Sequence, residues 1–245
     1  MFDPFGDFDE RGYLRNHHAS KNLNEVKRLE HGIFRANLPT ALGHLRSIKG
    51  PIGYGHFLKV HEVLFEDLYP WAGKDRKHLG LKTFINKGPV QFESTDQIER
   101  AVQEALRTGN DAGAMRKKPG YVMGMLAWAH PMLDGNGRTM LLVHMELCHR
   151  AGFAIDWTRS SKDEYLAALT MELQDPHQGV LDAFMLARKR DRIDTQEWHQ
   201  QLIDLPGLDG LDSMGESEMY SNEDQDAAAR YKEVLARRTA PRPGG

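Results

Sequence analysis

Residues 121–148 read YVMGMLAWAHPMLDGNGRTMLLVHMELC. Val122, Met125, Leu126 and Ala129 recur at three- and four-residue spacing, the mark of a buried helix face, and Trp128 beside them predicts burial on most sides. Leu142, Met145 and Cys148 continue a second helix. Between the two, His130 to Thr139 holds Pro131, Gly135 and Gly137 and reads as a loop. Helical periodicity extends outward from this pair. From Tyr54 the stripe is Phe57, Leu58, Leu64, Phe65 and Leu68, with His61 on the same face; Ile98, Ala101, Val102, Ala105 and Leu106 repeat it. Ser161 and Glu164 form a capping box that opens a helix containing Tyr165, Leu166, Leu169 and Leu173, and Val180 to Arg188 reads as another. Trp71 to Phe92 differs. Thr83, Phe84 and Ile85 are strand formers, Lys87-Gly88-Pro89 is turn chemistry, and Val90-Gln91-Phe92 returns, which predicts a small hairpin or flap. The fold class is all-α, a compact helical bundle with one β-hairpin.

The chain has 245 residues, 40% hydrophobic and 27% charged, which is ample for a packed core and excludes wholesale disorder. A formal net charge of -3 gives no basic surface for nucleic acid. The single cysteine, Cys148, excludes an internal disulfide framework and a cysteine-based zinc knuckle, and a reducing cytoplasm is the expected location. MFDPFGDFDERGY shows no basic region followed by an apolar run, so no signal peptide is expected. The longest apolar stretch, Tyr121 to Leu133, is too short to span a bilayer and is broken by Pro131, so no membrane partner is expected. Charge is unevenly spread. Residues 1–205 hold 27 basic and 27 acidic side chains, 206–229 hold seven acidic and no Lys or Arg, and 230–245 hold five basic and one acidic. This predicts a domain over 1–205, with an N-terminal helical extension, and a disordered acidic-then-basic tail over 206–245, disordered or loosely docked after Asp204, in which Ala227 to Arg238 could form a short helix.

The loop carries the chemistry. A phosphate-binding G-x-x-x-x-G-K-[S/T] loop is excluded, because only Asn136 separates Gly135 from Gly137 and Arg138 replaces lysine. A calcium loop starting at Asp134 would put Arg138 and Met145 at ligand positions and is excluded too. What survives is an anion cradle at a helix N-terminus. Gly135 and Gly137 let backbone approach a phosphate, free N–H groups point at it, and Arg138 adds a forked cation. Asp134 is a hard oxygen ligand suited to Mg²⁺ beside phosphates, and His130 is an imidazole placed to deprotonate an attacking hydroxyl. Together these are the parts for phosphoryl or nucleotidyl transfer.

The segment resembles the signature of Fic domains, H-x-F-x-[D/E]-G-N-G-R-x-x-R. His56 to Gly73 is similar to the family's helix ending in a Trp-Ala-Gly turn, Phe84 to Phe92 to its substrate flap, and Asp156-Trp157 through Leu173 to its post-motif helices. The resemblance implies a Fic-type bundle and a protein adenylyltransferase that moves AMP from ATP to a Ser, Thr or Tyr hydroxyl. His130 would be the base, Asp134 would hold Mg²⁺, Gly135, Asn136 and Gly137 would form the anion hole, and Arg138 would meet the distal phosphates. Tyr165 would lie near the nucleotide base. Ile85, Asn86, Lys87, Gly88, Pro89 and Val90 would form the flap that pairs with an extended segment of a target protein.

Two positions depart from the pattern. Met132 stands for the loop-anchoring phenylalanine, a plausible flexible replacement. Leu141 stands for the second arginine and removes one charge-assisted contact, about 1.5–3 kcal/mol. Leu141 therefore keeps open transfer of another nucleotide, of phosphate or of phosphocholine, and a second rival is a catalytically degenerate binding module. No glutamate is followed by Gly or Asn, so the family's inhibitory motif [S/T]-x-x-x-E-[G/N] is absent and self-inhibition through it is not expected. A separate antitoxin remains open as a partner. Arg230, Arg237, Arg238 and Arg242 resemble the arginine-bearing tails of type IV secretion substrates, so a delivered effector is open beside a toxin. Lys74, Arg76 and Lys77 read as a solvated turn, and His144 with Cys148 as helix packing rather than a reactive pair.

Overall fold

In the computed structural model, residues 3–7, 12–87, 90–203, 205, 218–221 and 224–239 are described. The helix predicted around Trp128 is α5 (Pro119–Ala129), and it is buried on most sides. It packs against α3 (Ile98–Asn110), α6 (Asn136–Arg150), α7 (Lys162–Gln174) and α8 (Val180–Leu186). Two of its residues make that closeness possible. A Cβ at Gly120 would stand 2.2 Å from the Asp182 backbone N, and one at Gly124 would stand 2.5 Å from Glu172 Cγ. Proline at N1 starts α5 because its missing N–H would have no helical partner there.

On the other side of α6 lie α1 (Leu23–Ser47) and α2 (Tyr54–Phe65), packed on each other. Asn22 opens α1 by accepting hydrogen bonds from the Asn24 and Glu25 N–H groups. The capping box before α7 forms as predicted: Ser161 Oγ accepts from Glu164 N at 3.2 Å, and Glu164 Oε2 accepts from Ser161 N at 3.0 Å. Short helices α4 (Ala112–Lys117) and α9 (Trp198–Ile203) complete the bundle. His144 donates through Nε2 to the Pro119 carbonyl at 2.8 Å, so its Nδ1 is the acceptor facing Cys148 Sγ at 3.6 Å. That pair is packing, as expected.

The predicted hairpin is β1 (Thr83–Lys87) and β2 (Val90–Gln91), antiparallel with Asn86 opposite Gln91 and Lys87 opposite Val90. Gly88 and Pro89, named in the flap, lie outside the described residues. A second hairpin pairs β3 (Phe153–Ile155) with β4 (Lys189–Asp191). The described residues of 206–245 form a strand and a helix, the helix over the stretch expected to form one. Residues of β5 (Glu218–Ser221) pair with β1, and α10 (Gln225–Thr239) packs on the body. Arg238 is 8% exposed; its guanidinium lies 4.2 Å above the Trp128 ring and donates to the Leu173 and Glu172 carbonyls at 2.8 and 3.2 Å. Composition gave no sign of where β5 and Arg238 dock, because their partners lie far away in sequence. Arg242 lies outside the described residues.

Glu172 tests the close packing of α5 and α7. Burial first, then Asp182, raises its carboxyl from 4.5 to about 7, against a partial pull back from the Leu181 backbone and Arg238. A raised carboxyl favours the protonated folded state, so its stabilising contribution is present below 4.5 and is lost as pH rises through about 7. Glu172→Gln removes that loss. The variant's thermal midpoint, compared with the parent at matched pH, should gain steadily from acid to neutral; a pH-independent difference would contradict this account.

Candidate active site

The loop between α5 and α6 gathers its groups by backbone constraint. His130 ends α5 in the left-handed region, φ 39 and ψ 57, an uncommon place for a residue with a side chain. It is held there from three sides. Its carbonyl accepts from Arg76 Nε at 3.0 Å, its ring stacks on Phe92 at 4.0 Å, and Asn136 Nδ2 lies 3.3 Å from its Nε2. Asn136 closes the loop: Met132 N donates to its Oδ1 at 2.9 Å, and its Nδ2 donates to the Met132 carbonyl at 2.8 Å. Those two bonds fix the amide orientation, so the N–H facing His130 is a donor. The imidazole therefore presents a lone pair at Nε2 and carries its proton on Nδ1. Burial, reinforced by Lys87 and Arg76, pushes its pKa well below 6.5 and keeps the ring neutral. Met132 is fully buried and anchors the loop, as its position in the motif implied.

Gly135 turns the chain into α6 with φ 75. A Cβ there would stand 2.5 Å from Phe65 Cε2 and 3.1 Å from His61 Nε2, so glycine is required by conformation and by space alike. His61 is fully buried and pins the loop from α2. Its Nδ1 accepts from Gly73 N at 2.9 Å, which leaves Nε2–H to donate to the Asp134 carbonyl at 3.0 Å. Burial holds its pKa near 4, so this tautomer is stable at neutral pH. The Asp134 carboxylate is half exposed, and its Oδ1 accepts from Gly135 N at 2.6 Å. A single exposed carboxylate beside an anion cradle suits Mg²⁺, which keeps several waters and shares substrate oxygens. Among the described residues no group of three His, Cys, Asp or Glu side chains is arranged to hold a metal by itself.

Arg138 is turned into a cage. It pairs with Glu30 of α1, lies 4.7 Å above the Phe65 ring and 5.6 Å above Phe34, and has Asp134 Oδ1 at 3.9 Å. Glu30 also accepts from the Tyr69 hydroxyl. Glu30 is followed by His31 and so lies outside the inhibitory motif. Leu141 is buried in the core one turn further along α6. Tyr165 of α7 packs edge-on against Trp157, in the turn before that helix, at 5.3 Å and lies tilted against Phe184 of α8 at 6.2 Å. Of the described flap residues, Ile85 and Val90 are buried in the core, and Lys87 is close enough to His130 to depress its pKa.

Arg76, expected as part of a solvated turn, is fully buried. Besides His130 it donates to the Glu93 and Ala129 carbonyls at 2.8 and 3.4 Å, and its own N–H donates to the Pro131 carbonyl at 2.8 Å. The run WAGKDRK contains no periodicity that would mark one of its cations as internal. His61 alone left a trace in sequence, as a polar residue on an apolar helical stripe.

Residues 51–148 match the Fic/DOC family model. This chain carries a Fic/DOC domain. It is 32% identical over 169 residues to the protein adenylyltransferase VbhT of Bartonella schoenbuchensis, a match covering 68% of this chain and 35% of that protein. This chain thus spans about a third of that relative's length. A probable protein adenylyltransferase of Sinorhizobium fredii, y4lH, is 27% identical over 64% of this chain and 81% of its own. Among solved structures, the N-terminal Fic domain of a VirB-translocated Bep effector protein from Bartonella quintana, with bound ADP, superposes with a TM-score of 0.59. It is 21% identical and covers 76% of this chain and 94% of its own. BepC from Bartonella tribocorum, with bound AMPPNP, gives 0.57 at 17% identity over 75% and 95%. These likenesses establish the Fic fold. No helix among the described residues is long and apolar enough to cross a membrane.

The Fic/DOC turn at Gly135 can be tested without knowing any substrate. Gly135→Ala should cost about 1–3 kcal/mol, from a strained φ together with overpacking against Phe65. Gly137 meets nothing within 4 Å, so Gly137→Ala should be neutral or slightly stabilising. Denaturant midpoints of the two variants would contradict this reading of the loop if they coincided.

Proposed function

We propose that this Fic/DOC domain transfers AMP from Mg-ATP to a Ser, Thr or Tyr hydroxyl of a target protein. The observation that carries the reading is the buried, neutral His130, whose Nε2 lone pair is presented to Asn136 in the first turn of α6. The same turn supplies backbone N–H groups that have no helical partner and can receive phosphate oxygens. In this reading the target hydroxyl takes the place of Asn136 Nδ2 at His130 Nε2 and gives up its proton there. The oxygen attacks the α-phosphorus, the bond from that phosphorus to the bridging oxygen breaks, and pyrophosphate leaves. Gly135, Asn136 and Gly137 hold the phosphate oxygens through backbone N–H groups. Arg138, neutralised by Glu30 in this state, would offer its guanidinium to the distal phosphates as a further donor.

Asp134 would hold Mg²⁺, which when bound neutralises charge across adjacent phosphates. Tyr165 would border the nucleotide base. The flap would align an extended segment of the target through β1. Delivery into another cell through a type IV system, and neutralisation by a separate antitoxin, belong to the same reading. The first has support in the VirB-translocated relatives named above.

Leu141 favours a second reading in one respect. Its buried apolar side chain offers no cation to a terminal phosphate, so a different donor or orientation of the phosphate chain is accommodated. Incubation with ATP labelled at the α or the γ position separates the two. Label from α, with one AMP added to intact mass, is expected; label from γ would refute AMP transfer.

His130→Ala should lower labelling by roughly a hundred- to ten-thousand-fold, the range of a lost general base. Because the pKa of His130 lies well below 6.5, the parent rate should stay level from about pH 8 down through 6.5 and fall only in more acid solution. A rate already halved at 6.5 would mean a solvated histidine and a different base.

A further inference from the structure

Strand β1 has two edges, and both are occupied. One carries β2. The other carries β5, antiparallel, with Thr83 opposite Ser221, Phe84 opposite Tyr220, Ile85 opposite Met219 and Asn86 opposite Glu218. A strand edge can pair with only one partner at a time. An extended target segment therefore cannot add to β1 while β5 is in place. We propose that β5 and α10 form a cis-acting cover over the target-docking strand, which must leave before a target pairs there. This deepens the proposed function and rests on its reading of the flap.

The attachments of the cover suit reversible release. Strand β5 has four residues, and of the fifteen in α10 only Ala227 and Arg238 are buried. The remaining grip is mixed. Gln91 Nε2 donates to the Ala227 carbonyl at 2.9 Å and the Tyr231 hydroxyl donates to Glu93, while the Tyr231 ring meets Phe84 at 5.2 Å and Leu235 packs partly buried on the core. Arg238 is desolvated against Trp128 and the end of α7, where burial depresses its pKa to about 10. Burying a guanidinium offsets much of what its contacts contribute, so this interface holds less firmly than an apolar one of equal size. Elements with few buried apolar contacts are those that open locally below the global unfolding free energy.

The cover is also wired to the site. Gln91 belongs to β2, the Glu93 N–H donates to the Trp128 carbonyl at 2.9 Å, and Trp128 lies two residues before His130. Lys87, at the end of β1, is the flap cation that acts on His130. The segment that displaces β5 is accordingly an extended peptide that takes up the same β1 edge.

The test uses the full chain with Met219→Pro and Arg238→Ala, which removes one strand N–H and the buried anchor. Hydrogen exchange of the Thr83–Lys87 amides should accelerate by at least about 10-fold while α5 and α6 keep parental protection. A fluorescein-labelled peptide copying residues 214–224 should bind the variant at least about 10-fold more tightly than the parent. Met219→Pro alone, with Arg238 left docked, serves if the double variant loses protection in α5 and α6. Unchanged β1 exchange, or equal peptide affinity for parent and variant, including no binding to either, would overturn the proposal. Supplying α-labelled Mg-ATP keeps the two readings apart. A bound but unlabelled peptide would count against AMP transfer and leave the cover standing, whereas a labelled peptide with unchanged β1 exchange would do the reverse.

Discussion

The grip of Arg76 on the end of α5 is the interaction on which the site depends. A helix terminus leaves carbonyls without partners, and α5 is buried on most sides, where water cannot serve them. Arg76 reaches the His130, Ala129 and Glu93 carbonyls, and its own N–H reaches Pro131. Five donors in a rigid fork match this task, and a lysine ammonium could not spread over the same carbonyls. Burial lowers the Arg76 pKa to about 10, so it remains charged at neutral pH. That charge acts, after burial and Lys87, to keep His130 neutral. One internal guanidinium thus fixes where the α5 carbonyls end and contributes to the protonation state of the ring beyond them. The flap is tied to the same point, because Glu93 follows Phe92 out of β2 and Phe92 stacks on His130.

The helices were legible in the sequence because each carries a local signal. Three- and four-residue spacing marked α2, α3, α5 and α6, and Ser161 with Glu164 marked the start of α7. The loop was legible because glycine, asparagine, aspartate and histidine at fixed offsets leave few chemistries open. What stayed hidden depends on contacts distant in sequence. Glu30 meets Arg138 across α1 and α6, Arg76 meets a helix end some fifty residues later, and β5 meets β1 from the opposite end of the chain. None of these residues breaks a local rule where it stands. A buried arginine in a polar run looks like any surface arginine until its partner is brought to it.

The charge at the cradle sets a condition on any anion bound there. Arg138 is the loop's one guanidinium, since Leu141 takes the second arginine's place, and Glu30 already neutralises it. Asp134 adds a negative charge at the rim. The side chains alone therefore do not make the cradle positive. In the proposed reading, attraction for a phosphate would come from the backbone N–H groups and dipole of α6, and from a cation that offsets Asp134. On that reading Asp134 and Mg²⁺ form one argument, because without a cation that carboxylate would oppose the phosphate.

The uneven charge of the chain acquires a structural sense in the same way. Seven acidic side chains between 206 and 229, with no Lys or Arg among them, read as a segment that cannot fold, because nothing within it can bury an apolar face. The order of its described residues is supplied from outside: the open edge of β1 receives the backbone of β5, and further along α10 the carbonyls ending α7 receive Arg238. A segment ordered by borrowed partners has little structure to fall back on when those partners are taken. The dependence on distant partners that hides the docking of the cover in the sequence is therefore also what makes it exchangeable: a competing strand has to outbid a four-residue ladder and one buried cation, not an independently folded domain.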